Sequence, residues 1–147
     1  MVKKRIELFV PGDPQSKQRP RHTNKGYAIT PTKTRDYEHE LALLYDFNYP
    51  DTYYEKTQLE LSIYAGFKKP KGYKEGTPTN ISPKDLDNIY KIVGDALNKA
   101  AYDDDAWIVH IKDIMKFYAD NPGVLIVLQE KKNLKCPDRY KNHFFNI

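Results

Sequence analysis

Six of the chain's 20 acidic residues fall between positions 85 and 105: Asp85, Asp87, Asp95, Asp103, Asp104 and Asp105. The chain as a whole is basic, with a formal charge of +4 and an isoelectric point near 9.0, so this is a local reversal of sign. Carboxylates drawn together repel one another, and each costs free energy to desolvate unless something neutralises it. A hard divalent cation such as Mg²⁺ does so, taking one or two carboxylates and completing its shell with water and substrate phosphate. Such an ion orients water and stabilises charge on phosphate during hydrolysis.

Spacing narrows the choice. Asp85 and Asp87 follow Ser82-Pro83-Lys84, where a loop turns into a helix. Two residues apart, they diverge on a regular helix but converge where the backbone is still extended or turning. The run Asp103–Asp105 lies beyond that helix and leads into an apolar segment. The same residues also have plainer uses. Asp85 caps a helix, with Ser82-x-x-Asp85 as a capping box; the Asp103–Asp105 run is a solvated turn; and Lys91 pairs with Asp87 at (i, i+4). The functional alternative for Lys91 is a cation that holds a phosphate or steadies a leaving group.

The elements that must position these groups can be read from periodicity. Arg5–Val10 alternates polar and apolar residues up to Pro11, which predicts a strand. Residues 11–31 hold repeated Pro and Gly among Lys17, Arg19, Arg21 and Lys25, a basic loop or irregular hairpin. Thr30-Pro31 predicts a helix start, Thr as cap and Pro as first helical residue, running to about Phe47 with Tyr37, Leu41, Leu44 and Tyr45 inward. Gln58–Phe67 alternates cleanly, predicting a strand buried on one face. A second basic loop covers 68–80, and a second helix runs from about Asp85 to Lys99 with Leu86, Ile89, Val93, Ala96 and Leu97 buried. Strands are expected at Trp107–Phe117 and Val124–Gln129, although Ile108, Ile111, Ile114 and Phe117 also fit a helical period. This order predicts an α+β fold: a small mixed β-sheet with two helices packed on one face, in a domain spanning 1–130, followed by a basic, aromatic tail at 131–147.

Bulk properties exclude some classes. A length of 147 residues fits one domain with a real core. No apolar run approaches the roughly 18–20 residues needed to span a bilayer, and the N-terminus lacks a signal-peptide core. A single cysteine, Cys136, makes no internal disulfide and suits a reducing cytoplasm. His22, His39, His110 and His143 show no zinc spacing.

The stretch Lys84-Asp-Leu-Asp-Asn-Ile-Tyr-Lys-Ile-Val-Gly-Asp-Ala-Leu-Asn98, followed by Tyr102-Asp-Asp-Asp-Ala-Trp-Ile108, resembles the RusA family of Holliday-junction resolvases. Pro14-Gln-Ser-Lys-Gln-Arg-Pro-Arg21 and Thr30–Tyr37 are similar to its phage and Gram-positive branch. The resemblance covers most of residues 5–130. It implies a Mg²⁺-dependent endonuclease (Mn²⁺ a substitute) that cuts four-way DNA junctions by paired nicks as a homodimer, in recombination and repair. It further implies metal ligands at Asp85, Asp87 and Asp105, with Asp104 the alternative because Asp103 extends the expected pair to three, and an essential lysine at Lys91. Departures are Lys99, where relatives often carry Gly, Trp107 in place of a polar residue, and a tail without counterpart. Lys17, Arg19, Arg21 and Lys84 are the expected DNA contacts, while Lys68–Lys74 read as solvated surface. Tyr53, Tyr54 and Tyr73 could stack on bases but fit core or interface roles better. Two other readings stand beside this one: a non-catalytic DNA-binding protein, and a metal-dependent nucleotide phosphohydrolase.

Overall fold

The computed structural model describes residues 2–18, 21–22, 24–26, 28–29, 31–79 and 84–146. Strand β1 (Arg5–Pro11) alternates exposed and buried residues, sending Ile6, Leu8 and Val10 inward. Two short strands follow, β2 (Arg21–His22) and β3 (Ala28–Ile29), which pair antiparallel as an irregular basic hairpin. Helix α1 (Thr32–Asn48) buries Thr34, Tyr37, Leu41 and Tyr45 at helical spacing, with Leu44 partly buried against the core. Its start differs from expectation by one position. Pro31 is the cap, with ψ near 142°, and its carbonyl accepts the Arg35 N–H at 3.1 Å, so the helix proper begins at Thr32. Thr30 lies outside the described residues.

Strand β4 (Leu59–Lys68) leads through the second basic loop into α2 (Leu86–Leu97), and the chain returns as β5 (Ile108–Ala119) parallel to β4. Strand β6 (Gly123–Glu130) then runs antiparallel to both β4 and β1, giving a four-stranded mixed sheet in the order β1-β6-β4-β5. The β5–β6 connection therefore passes over the end of β4. The crossing is close: a Cβ at Gly66 would stand 2.8 Å from the Ala119 Cβ. The helical period within residues 108–117 is resolved in favour of strand, because β4 offers a partner along the whole segment.

Both helices cover one face of the sheet, where Ile6, Leu8, Leu61, Ile63, Ile126 and Leu128 meet Leu41, Tyr45, Ile89 and Val93. This is the α+β arrangement expected. One expectation needs correcting: β4 is not half-buried. It lies between β6 and β5, so its polar residues Glu60 and Ser62 are also shielded, at 4% and 6% exposure. Glu60 is satisfied there by His110 Nδ1 and by donation from Gln129 Nε2, both at 2.7 Å. Beyond β6 the tail forms a 3₁₀ turn (Asp138–Tyr140) and a short helix, α3 (Lys141–Phe144). No helix among the described residues is long and apolar enough to cross a membrane.

Candidate active site

The site is built along α2. Asp85 occupies the cap position in extended conformation, its carbonyl accepting the Ile89 N–H at 3.0 Å, and its side chain makes no capping hydrogen bond. Ser82, the other half of the expected capping box, lies outside the described residues. Asp87 sits in the first turn and, like Asp85, is exposed. Asp87, Lys91, Asp95 and Asn98 recur at helical spacing, so they share one side of α2, opposite the buried Ile89, Ile92, Val93 and Ala96.

The acidic run is brought to that side by the return of the chain. The Asp105 N–H donates to Asn98 Oδ1 at 3.0 Å. Its carboxylate lies against Gly94, where a Cβ would meet Oδ2 at 3.5 Å. Tyr102, fully buried, donates from its hydroxyl to the Gly94 carbonyl at 2.9 Å and pins the same turn from below. The three aspartates of the run have separate fates. Asp103 is engaged by the Tyr53 hydroxyl and lies 3.7 Å from Lys99. Asp104 accepts the Ala106 N–H at 2.9 Å as cap of a 3₁₀ turn (Asp105–Trp107). Asp105 alone is turned onto α2.

Burial, then the charges of Asp95 and Asp104 and a hydrogen bond shared with Asp104, hold the Asp105 carboxyl above its ordinary range, and Lys91 partly offsets this. Lys91 reaches forward to Asp95 at 3.8 Å rather than back to Asp87, and is 61% exposed. Asp95 is also met by Lys17 at 3.2 Å, and Lys17 is held in turn by Glu38 of α1 at 3.1 Å. The structure therefore gathers Asp104, Asp105, Asp95, Lys91, Lys17 and Glu38. Asp85 and Asp87 stand at the start of the helix, with Asp87 about 10 Å and Asp85 about 13 Å of helical rise from Gly94. Among the described residues no three carboxylates, imidazoles or thiols are gathered within reach of one metal ion.

The donor set nonetheless suits a hard cation. It is all oxygen, and Asp105 carries a destabilised negative charge that a cation would relieve. Mg²⁺ needs only one or two protein carboxylates, the rest of its shell coming from water and phosphate.

Of the other expected contacts, Lys84 lies beside the site, and its carbonyl accepts from Lys116 Nζ of β5 at 2.9 Å. Arg19 lies outside the described residues, and Arg21 is placed only by its backbone in β2. Tyr54 is core, and the Tyr73 ring packs on Tyr118. Asp95, Glu38, Asn98 and Lys116 also come to this side of the molecule, although none was expected among the site groups. Only Asp95, one of the six clustered aspartates, carried a signal that could have found it.

A family model described as Endodeoxyribonuclease RusA matches residues 11–129, most of the chain. The chain belongs to the RusA family. It is an endodeoxyribonuclease, of a family that resolves Holliday junctions. A Bacillus subtilis protein, YqaN, itself uncharacterized, is 28% identical over 137 residues, covering 85% of this chain and 96% of its own length. Lys99, just past the end of α2, adopts φ of 69°, the left-handed conformation that Gly reaches without strain. Lys99→Gly is therefore expected to raise stability by about 1 kcal/mol, since the exposed pair with Asp103 that it removes contributes little. A higher urea midpoint with unchanged slope would show it.

Proposed function

We propose that the chain resolves four-way DNA junctions as a homodimer, by paired symmetric nicks that depend on Mg²⁺. The observation that carries this reading is the docking of Asp105 on the bare Gly94 surface of α2, beside Lys91, with its carboxylate destabilised by burial and by neighbouring charge. Asp85, Asp87 and Asp105 are the proposed ligands, with Asp104 the alternative to the last. Mg²⁺ held by one or two of these carboxylates would keep coordination positions for water and a phosphate oxygen. Bound there, Mg²⁺ supplies Lewis acidity and neutralises phosphate charge, and Mn²⁺ would substitute.

The chain's own groups do the rest. Lys91, loosely held and mostly exposed, is free to turn its ammonium toward the scissile phosphate or the leaving oxygen. Asn98 and Tyr102 fix the turn that presents Asp105. Arg19, Arg21 and Lys84 contact the phosphate backbone flanking the cut, where they set affinity and make it fall with salt. Two subunits related by a two-fold axis would match the symmetry of the junction, one site for each nick.

The test is cleavage of an end-labelled four-way junction beside linear duplex of the same sequence, with Mg²⁺ or with chelator. Symmetric nicks on the junction alone, only with metal, are expected. A junction left intact in Mg²⁺ and Mn²⁺ would overturn the reading. Hydrolysis of small nucleotide esters with little salt sensitivity would replace it with a nucleotide phosphohydrolase.

A further inference from the structure

Lys17 sits in the Pro14–Arg21 basic segment, and its charge pattern alone assigns it to DNA. Its surroundings differ from those of a phosphate contact. An ammonium has three N–H donors, and Lys17 Nζ has three carboxylate oxygens around it: both oxygens of Glu38 at 3.1 Å and Asp95 Oδ2 at 3.2 Å. Glu38 belongs to α1 and Asp95 to α2. All three side chains are largely withdrawn from solvent, at 20%, 18% and 23% exposure. Burial alone would lower the proton affinity of Lys17, but Glu38 and Asp95 more than offset it, so the ammonium stays charged. The backbone is stitched down beside it. The Lys17 N–H donates to the Asn88 carbonyl of α2 at 2.9 Å, and the Gln18 N–H to Thr34 Oγ1 of α1 at 3.4 Å.

We propose that Lys17 is a positioning residue of the nuclease, clamping α1 to α2 through Glu38 and Asp95 and seating the N-terminal basic segment against the site, and that it does not itself contact DNA. The inference rests on the active-site reading above. The clamp has two consequences. The chain at Lys17–Gln18 is tied to a fixed point on α2, one turn from Lys91, so the N-terminal segment and the cutting groups keep one frame. Lys17 also neutralises Asp95 from 3.2 Å, against 3.8 Å for Lys91, which leaves Lys91 only loosely paired. Without Lys17, Asp95 would capture Lys91 more tightly and draw it from the phosphate.

The experiment compares wild type, Lys17→Met, Lys17→Arg and Glu38→Gln. Lys17→Met is expected to cut a four-way junction on the order of 10- to 100-fold more slowly at saturating DNA, with the slope of log affinity against log salt unchanged. A phosphate contact would instead lower that slope by about 1 and spare the saturated rate, and that result would overturn the proposal. Lys17→Arg, which keeps charge and a carboxylate-matching fork, should recover most of the rate. If it cuts as poorly as Lys17→Met while holding junction affinity, charge clamping is refuted. Glu38→Gln combined with Lys17→Met should be no slower than Lys17→Met alone, and additive losses would refute a shared clamp.

Hydrogen exchange gives an arm independent of cleavage. The Lys17 and Gln18 amides should lose protection in Lys17→Met while the β4 and β6 amides keep theirs. Unchanged protection at Lys17 would sink the clamp even if the wild-type protein proved inactive on junctions, so the two readings fail separately.

Discussion

Asp105→Asn is expected to slow junction cleavage about 10³-fold at saturating DNA while leaving junction affinity intact. Asparagine keeps the shape, and the backbone N–H that Asn98 accepts is untouched, so the turn should hold. What is lost is the charge on which the proposed metal site depends. Charge stabilisation by a bound cation supplies several kcal/mol to phosphate hydrolysis, and each decade of rate is about 1.4 kcal/mol. The same substitution should stabilise the fold. Burial, then Asp95 and Asp104, raise the Asp105 carboxyl, so the folded chain holds that proton to higher pH than the unfolded chain does. Its contribution to stability is therefore fully present below the ordinary carboxylate value of about 3.9 and is lost as pH rises through the elevated one. At neutral pH the charged carboxylate is a net cost, which asparagine removes. Urea titrations in chelator should show the variant more stable than wild type at neutral pH, with the gap closing below about pH 4. Wild-type cleavage by Asp105→Asn would transfer the third ligand to Asp104.

Lys91→Met is expected to cost about 10²- to 10³-fold in cleavage rate, the magnitude seen when one charge-stabilising donor is removed from a hydrolytic site. The plainer role of Lys91 is an (i, i+4) partner on a helix. That role is worth only about 0.3–0.5 kcal/mol, because the pair with Asp95 is long, at 3.8 Å, and the lysine is 61% exposed. The two roles therefore differ by orders of magnitude in one measurement. A large loss of rate with an unchanged urea midpoint marks a group acting on phosphate, and a rate within a few-fold of wild type leaves only the helix pair. Lys91→Arg should recover part of the rate, since charge is retained but the compact ammonium is not. Because Lys91 also opposes the elevation of Asp105, the methionine variant should hold the Asp105 proton to still higher pH.

The parts of this protein legible in the sequence are those set by local periodicity. The alternation of Arg5–Val10 and Leu59–Phe67 marked two strands, and the apolar spacing of Ile89, Val93, Ala96 and Leu97 marked the buried side of α2. Chemistry was legible as composition, six aspartates in a basic chain, and the long ordered motif around them pointed to the family to which the chain belongs. Exposure was less so. Leu59–Phe67 alternates like a strand with one wet face, yet β4 is central, and Glu60 is shielded because His110 and Gln129 from neighbouring strands satisfy it. No spacing rule encodes which strands will flank a strand.

The aspartates show the same division. The chain's own order fixed which residue types were available, and capping and turn chemistry are local enough to be anticipated. Which carboxylates share an environment was decided by the parallel β4-α2-β5 crossover, which lays the Asp103–Asp105 run across the second half of α2. That placement turned Asp103 to Tyr53, gave Asp104 a cap to make, and set Asp105 over Gly94. It also paired Lys17 with Glu38 and Asp95, residues 21 and 78 positions away. Charge interactions fall off with distance in space and not along the chain. A sequence can therefore show that a chain holds acidic and basic groups in a functional pattern, while only the packed helices decide which of them neutralise one another and which remain for DNA.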